Sequence, residues 1–285
     1  MEDGVSLDRD TVRSLLNPLS ASVFQAEEHQ HPWRAQFPIF SRPLLRLWDH
    51  NSGSQPDKDG YMRARATRGR LDTFNSRKES LTVHINHRVW IPTPYVSFTT
   101  APSKVEDLAN LRAQRHRGPS TLTAVDPNYR IRNGLPVLHV SDEMEYYDVA
   151  DPYNKTNEYY KDHYICLWEV TNKEIVGHWQ WEDLVQNENW YEEIVIPAFL
   201  RNRKLVEAEH LSDLFTGLSL TTDPSDPTNF FDSRSDSSSE LVCFFEEEFD
   251  FDEGYGFFQD GSDTDDEVEE ANATDDMIKI MEGNW

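Results

Sequence analysis

Cysteine is scarce in this chain of 285 residues, and the features that mark secreted or membrane proteins are missing. The two cysteines, Cys166 and Cys243, are too few for a disulfide framework or a cysteine-rich zinc site. No run of about 18 apolar residues could span a membrane, and the first residues, MEDGVSLDRD, have neither the basic start nor the apolar core of a secretory signal. We therefore expect an intracellular protein, in the cytoplasm or nucleus, without a membrane partner.

Glycine motifs for nucleotides and for nucleophilic catalysis are also missing. The sequence contains no Gly-x-Gly-x-x-Gly, no Gly-Lys-Ser/Thr phosphate loop and no Gly-x-Ser-x-Gly elbow. These absences argue against a glycine cradle for phosphate groups and against the serine elbow of α/β-hydrolases. If the protein handles a nucleotide, it must hold it with side chains.

Three histidines, His84, His87 and His116, raise the question of a metal site. Zinc hydrolases place two ligands one helical turn apart, at i and i+4, and a third ligand elsewhere. His84 and His87 have the spacing i and i+3, and the Pro-x-Pro from Pro92 to Pro94 disfavours a helix ahead of it. We therefore predict no metal site here and expect ordinary polar or partly buried histidines.

Negative charge is in excess and is concentrated at the C-terminal end. Residues 221–285 carry 21 acidic and 2 basic side chains, a net charge of −19, whereas residues 1–220 have a net charge of −6. We predict an N-terminal extension over residues 1–36, a folded domain over residues 37–220 and an acidic, disordered tail over residues 221–285. The overall charge of −25 argues against a nucleic-acid partner.

Aromatic side chains are set among the acids of the predicted tail. This composition is typical of a disordered segment that docks into a groove on a partner, and equally of a solvating tail whose aromatics bind nothing. The first interpretation predicts a protein partner with a basic or grooved surface. The aromatic residues concerned are Phe230, Phe231, Phe244, Phe245, Phe249, Phe251, Tyr255, Phe257 and Phe258.

The sequence pattern in the middle of the chain predicts an α+β domain. Short apolar or alternating runs predict strands, and SKVEDLANLRAQRHRG predicts a helix with a capping box from Ser103 to Glu106 and a stop at Gly118. A further short helix is predicted before Pro18, and the Pro-x-Pro is expected to hold the residues ahead of it extended. The predicted strands lie in LLRLWD, PYVSFTT, STLTAVD, HYICLWEV and EIVGHWQW.

The order of three segments resembles an uncharacterised family of fungal domains, which in turn is similar to the mono-ADP-ribosyltransferases of the cholera-toxin type. The resemblance covers about Phe37 to Trp181 and implies an ADP-ribosyltransferase-like split sheet, mixed or antiparallel, with few helices and with NAD as the substrate. That group is defined by an arginine, a Ser-Thr-Ser strand and a Glu-x-Glu. The segments are LLRLWDHNSGS, HINHRVWIPTPYVSFTTAP and NEYYKDHYICLWEVTNKEIVGHW.

The resemblance assigns four residues to NAD binding. Arg46 takes the place of the first-strand arginine that braces the NAD pocket, and His84 matches a histidine expected near the adenosine ribose. Ser97 and Thr99 match the first and third positions of Ser-Thr-Ser, with Phe98 between them. Because alternate strand residues share a face, Ser97 and Thr99 are expected to point the same way. The resemblance implies that Arg46, His84 and Ser97 line one cleft.

The catalytic acid is the weakest part of the match. Cleavage of the bond between nicotinamide and ribose leaves an oxocarbenium-like cation, which a fixed carboxylate stabilises and a serine can help to orient. The resemblance places that acid at His163, which cannot carry a permanent negative charge. Glu158 is the alternative, whereas Gln180 and Glu182 imitate Gln-x-Glu but follow the strand. The candidate catalytic residues are therefore Ser97 and Glu158.

Two functions from different classes remain open. The first is an ADP-ribosyltransferase-like domain that binds NAD, either as an active enzyme or with a degenerate catalytic acid. The second is a non-enzymatic interaction protein that acts through its acidic-aromatic tail. Taken singly, each candidate residue also has a structural explanation: Arg46 can pair with Asp49, and His84 can be a satisfied core histidine. The shared order of the residues is what favours the first function.

Overall fold

A computed structural model describes residues 7–18, 26–35, 39–66, 68–86, 89, 91–153 and 160–205. All of these residues belong to one compact unit. The predicted tail and Glu158 lie outside the described residues. The predicted α+β class with an antiparallel sheet is confirmed. No helix in the described ranges is both long enough and apolar enough to cross a membrane.

The described residues form eight strands in two antiparallel sheets. The larger sheet has the order β5-β6-β3-β1-β4-β8, and β2 and β7 form the smaller one. The strand predictions in the five runs named above are confirmed, because each run contains a strand. The strands are β1 (Leu44–Asp49), β2 (Met62–Arg63), β3 (Tyr95–Thr99), β4 (Ser120–Val125), β5 (Val137–His139), β6 (His163–Leu167), β7 (Glu169–Val170) and β8 (Ile175–Gln180).

The helices are short and are spread along the chain. A 3-10 turn follows the second helix over Trp33–Ala35, and a π-helical turn over Tyr191–Val195 leads into an α-helical segment over residues 196–205. The α-helices are α1 (Arg9–Leu16), α2 (Glu27–Gln30), α3 (Phe74–Ile85), α4 (Pro102–Gln114), α5 (Pro127–Arg132), α6 (Val140–Tyr146) and α7 (Trp181–Leu184).

The predicted helix after the third strand is confirmed as α4, but its start differs from the prediction. The capping box from Ser103 to Glu106 is wrong, because Ala101 is the N-cap and makes no side-chain cap hydrogen bond. Pro102 occupies the first turn instead, where its fixed φ suits a helix and its missing N–H has no cost. The helix ends at Gln114, so Gly118, with φ +89°, lies beyond it.

The prediction of an extended chain ahead of the Pro-x-Pro is wrong at His84, which lies in the last turn of α3. A proline restricts mainly the residue directly before it, and α3 ends at Ile85, well ahead of Pro92. The helix begins with a capping box in which Thr73 and Ser76 exchange side-chain and backbone hydrogen bonds. His84 is thereby fixed on a helix that packs against the sheet.

Strand alternation gives the larger sheet two buried faces. On the first face, residues including Leu45, Leu47 and Ile165 pack under α1, α3, α4 and α6. On the second face, Phe98 and Cys166 pack with the smaller sheet and α5 in a separate cluster. Pairing across β3 and β6 joins Ser97 to Ile165 and Thr99 to His163, so these side chains belong to the first face.

The described N-terminal residues pack into the same core as the first face. Leu7, Val12, Leu16 and Trp33 are buried together with residues of β3, β6 and α6. The buried Arg77 on α3 holds this region, because its guanidinium donates to the Glu28 carboxylate at 2.8 Å and to the His31 carbonyl at 2.8 Å. Residues 7–18 and 26–35 are therefore built into the domain that they precede.

Candidate functional site

The hydroxyl of Ser97 is the centre of a buried polar cluster. Ser97 Oγ lies 3.1 Å from Nε2 of His84 and 2.9 Å from Nε2 of His163. The three residues are only 3–4 % exposed. A hydroxyl has one proton to donate and can accept at its oxygen, so Ser97 can satisfy both imidazoles when one of them donates and the other accepts. We call these three residues the His-Ser-His cluster.

Three separate elements position the cluster. β3 carries Ser97, the last turn of α3 carries His84 and the first residue of β6 is His163. The second ring nitrogen of His84, Nδ1, lies 2.9 Å from Oγ1 of Thr93, which precedes β3. The Tyr95 ring contacts the His84 ring edge to face, with 4.9 Å between the centroids. His84 is therefore held on two sides by the chain that enters β3.

Histidine at position 163 has a direct structural role. Antiparallel pairing places His163 opposite Thr99, two pairs away from the Ser97–Ile165 pair and on the same face of the sheet. Its ring reaches diagonally to Ser97 Oγ, and the Tyr160 ring stacks on it with 6.3 Å between the centroids. The resemblance expected a carboxylate at this place. In the structure, an imidazole contacts the serine that the carboxylate would orient.

Arg46 contacts the same serine from another direction. Its Nη1 donates to the backbone carbonyl of Ser97 at 3.1 Å, and its Nη2 donates to the carbonyl of Gly53 at 2.9 Å. Asp49, the alternative partner considered from the sequence, is instead contacted by Arg112 and Arg117. The Arg46 guanidinium therefore bridges β1 and β3 through backbone oxygens.

The pairing register of the strands directs the side chains of Arg46 and Ser97 to opposite faces of the larger sheet. β1 and β3 pair at Leu45 and Thr99, whereas β1 pairs with β4 along its whole length, with Arg46 opposite Thr123. Because neighbouring strand residues point to opposite faces, Arg46 starts from the second face, and Ser97 and Thr99 lie on the first. The structure thus brings together the side chains of His84, Ser97 and His163. The expectation that Arg46 lines the same cleft is wrong, because the pairing register directs its side chain to the opposite face from Ser97.

The remaining predicted residues have varied surroundings. Thr99 is buried and its Oγ1 accepts from the backbone N–H of Ala101 at 3.1 Å, which supports the turn into α4. Gln180 ends β8 and donates to Thr121 Oγ1, and Glu182 on α7 accepts from the backbone of Ser120. Neither contact involves the His-Ser-His cluster. Glu158 lies outside the described residues.

Burial controls the electrostatics around the cluster. Desolvation raises the pKa of the neighbouring Tyr95 hydroxyl far above its ordinary value. On the second face, it also raises the pKa of the Cys166 thiol to about 12, so that this cysteine is a protonated, inert core residue. Both buried faces are thus low-dielectric environments in which unpaired charge is costly.

A second polar row, which the sequence reasoning missed, crosses the second face at β1, β4 and β8. Trp48 Nε1 donates to Thr123 Oγ1 at 2.8 Å, and the same oxygen lies 2.8 Å from Nδ1 of His178. Indole is only a donor, so the threonine oxygen accepts from Trp48 and keeps its own proton free to bond Nδ1 of His178. The sequence signal that could have revealed this row is the alternation of polar residues in STLTAV.

The chemistry open to the His-Ser-His cluster is limited by its burial. A serine that is hydrogen-bonded to an imidazole is the arrangement that activates a nucleophile, but Ser97 is only 3 % exposed and its oxygen is shared by two rings. Across the described ranges, no group of three or more His, Cys, Asp or Glu side chains is placed to hold a metal ion. In this conformation the cluster stabilises the fold.

Comparison with known proteins identifies the domain but not its activity. No curated protein and no solved structure matches the chain. Residues 41–184 match the family described as a domain of unknown function, DUF7587. The match runs from just before β1 to the end of α7 and includes the larger sheet and the whole His-Ser-His cluster. Because it covers half of the chain, the protein belongs to the DUF7587 family.

Proposed function

We propose that this DUF7587 domain is a non-enzymatic binding module. In this proposal it is an ADP-ribosyltransferase-like domain whose matched site residues have become part of the folded core. The observation that carries the proposal is the burial of His84, Ser97 and His163 together with the hydrogen bonds that both imidazoles make to Ser97 Oγ. A buried hydroxyl that two rings already engage is poorly placed to contact a substrate.

The electrostatics of the cluster favour the same conclusion. Transfer of ADP-ribose needs a fixed negative charge beside the forming sugar cation. His163 contacts Ser97 where the resemblance expects that charge, and an imidazole is neutral or positive near neutral pH. A histidine here would oppose the developing cation or leave it unstabilised.

The contacts of Arg46 also support a loss of NAD chemistry. An anion clamp works when guanidinium N–H groups are directed at the ligand. Both terminal nitrogens of Arg46 donate to backbone carbonyls of the protein, at 3.1 and 2.9 Å, and the residue is 3 % exposed. Arg46 is therefore directed at the protein's own backbone through both terminal nitrogens.

The binding partner in this proposal is a protein, recognised through the acidic-aromatic segment of residues 221–285. Its net charge of −19 favours a basic surface, and its interspersed aromatic residues favour a groove that accepts rings. In this proposal the domain does not act on the partner chemically.

Calorimetric titration with NAD, together with an assay of NAD hydrolysis, tests the proposal. We expect neither heat of binding nor turnover for the folded full-length chain, because the matched residues are buried and paired. Folding is checked by a cooperative unfolding transition of the same sample. Saturable NAD binding or turnover that Arg46→Ala abolishes would overturn the proposal.

A second candidate function is supported by the convergence of two histidines on Ser97. In this alternative, the domain is an NAD-dependent transferase in which Glu158 supplies the negative charge and His84 and Ser97 contact the nucleotide. NAD hydrolysis would then be measurable, would fall steeply in Glu158→Gln and would fall less in Ser97→Ala. Unchanged turnover in Glu158→Gln would exclude Glu158 as the acid, and Glu182→Gln would be the next variant to measure.

A further inference from the structure

An open pocket of about 450 Å³ lies on the second face of the larger sheet, beside β5 and β6. Its volume falls within the range of about 300–1,000 Å³ that is usual for small-molecule sites. None of its lining residues belongs to the His-Ser-His cluster, so the pocket is independent of the function proposed above. The lining residues are Ile39, Phe40, Ser41, Arg42, Thr100, Val137, His139, Asp142 and Tyr164.

Aromatic and apolar side chains form one wall of the pocket. The Tyr164 ring is held between Phe40, with 5.3 Å between ring centroids, and His139, with 5.0 Å. Val137 is buried next to them. A ring fixed by two neighbours presents a flat surface that loses little conformational entropy when a ligand binds. This wall therefore suits a planar ring.

The segment that carries the polar side of the pocket is also held firmly. Asn128 Oδ1 accepts from the backbone N–H of Phe40 at 2.9 Å, and Asn128 Nδ2 donates to the carbonyl of Phe40 at 2.9 Å. These paired bonds anchor the chain two residues before Arg42. The position of the Arg42 backbone is thus set before any ligand arrives.

The polar groups of the pocket differ in how far the protein already engages them. His139 Nδ1 lies 2.8 Å from Asp142 Oδ1. His139 Nε2 is engaged at 2.7 Å by the carbonyl of Lys161. Arg42 is exposed and forms no ion pair with the described part of the chain. Its guanidinium can therefore attract an opposite charge.

We propose that this pocket binds a small organic anion with a planar ring, of the aromatic carboxylate class. The carboxylate pairs with the guanidinium of Arg42, whose planar donor fork matches two carboxylate oxygens. The ring lies against Tyr164 and Val137.

Titration of the full-length chain with 3-phenylpropionate, followed by saturation-transfer NMR and calorimetry, tests the proposal. We expect saturable binding of 3-phenylpropionate and at least about ten-fold weaker binding of the neutral 3-phenylpropanol and of acetate, which lack the charge and the ring respectively. Equal binding of the alcohol, or no saturable binding of 3-phenylpropionate, would overturn the proposal.

Variants locate the site. Arg42→Gln should weaken 3-phenylpropionate binding about ten-fold or more, whereas Arg13→Gln, on the exposed side of α1, should leave it unchanged. Tyr164→Phe keeps the ring wall and should bind as the original chain does, and Tyr164→Leu should bind more weakly. If Arg42→Gln folds and binds like the original chain, the assignment is wrong.

Discussion

At the scale of single residues, Ser97 shows how one hydroxyl can provide a hydrogen-bond partner to two buried imidazole rings. His84 and His163 come from different elements and meet only at Ser97 Oγ. Each imidazole pays a desolvation cost that the hydrogen bond to this oxygen offsets. The serine therefore contributes to stability by pairing two buried rings.

Replacing Ser97 with alanine should lower the free energy of unfolding by about 1–3 kcal/mol, because it leaves buried imidazole nitrogens without this partner. Thr82→Ala on the exposed side of α3 is the matched control and should change it by less than about 0.5 kcal/mol. Urea unfolding followed by circular dichroism measures both. Equal effects of the two substitutions would show that the cluster has no special role.

His178 gives a residue-scale prediction about pH. The residue as a whole is exposed, but burial of its imidazole against the sheet lowers its pKa below the ordinary value of about 6.5. Below that pH, the unfolded chain binds a proton that the folded chain resists, so the free energy of unfolding falls as the pH falls. His178→Gln removes this titration and should flatten the pH dependence between about pH 5 and 7.

The measurement is the difference in unfolding free energy between the original chain and His178→Gln at several pH values, since the other histidines contribute equally to both. Glutamine can still accept the threonine hydrogen bond through its side-chain oxygen. A difference that stays constant from pH 7 to pH 5 would contradict the assignment.

At the scale of elements, β8 shows how a small residue permits a large one. An added Cβ at Gly177 would lie 2.7 Å from Cη2 and 2.9 Å from Cζ2 of Trp179, so the indole ring folds back over the glycine. Trp179 packs in this position against the cluster that contains Leu122 and Leu184. The glycine is thus required by close packing.

Gly177→Ala should destabilise the protein by about 1–3 kcal/mol, because the indole must move out of its packed position. Trp179→Phe shortens the ring and removes the two atoms that would clash. In that background, Gly177→Ala should cost clearly less, and a double-mutant cycle on unfolding free energies measures the difference. Additive effects of the two substitutions would contradict the proposed contact.

The elements differ in how well the sequence predicts them. Strands such as STLTAV and YVSFT are local runs of β-branched and aromatic residues, which favour extended structure wherever they occur. α3 was not predicted, because its buried side includes Arg77 and His84 as well as Leu81 and Ile85. Polar residues on a buried face hide the 3.6-residue period that signals a helix.

At the scale of the whole molecule, buried charge joins the N-terminal segment to the domain. Arg77 is fully buried, lies 3.9 Å above the Trp33 ring and pairs with Glu28 at 2.8 Å. Glu143 on α6 accepts from Trp33 Nε1 at 2.7 Å and from His31. These contacts join α2, α3 and α6, so their loss should destabilise more than one of these elements.

Arg77→Met should lower the free energy of unfolding by about 3–5 kcal/mol, because it leaves the Glu28 carboxylate buried without its cation. The neighbouring Lys78→Met, which removes a charge without a described partner, should have an effect below about 0.5 kcal/mol. Hydrogen exchange should also accelerate in residues 26–35 of Arg77→Met. Unchanged exchange there would show that Arg77 does not hold this segment.

The sequence by itself determined the strands, α4, the acidic C-terminal composition and the absence of glycine motifs, because each depends on neighbouring residues or on counts. Only the tertiary structure decided which side chains meet. Pairing register places Ser97 on the first face and Arg46 on the second, and a shift of one residue would reverse either placement. Contacts such as that between Ser97 and His163 join residues far apart in the chain, and no local pattern encodes the register that creates them.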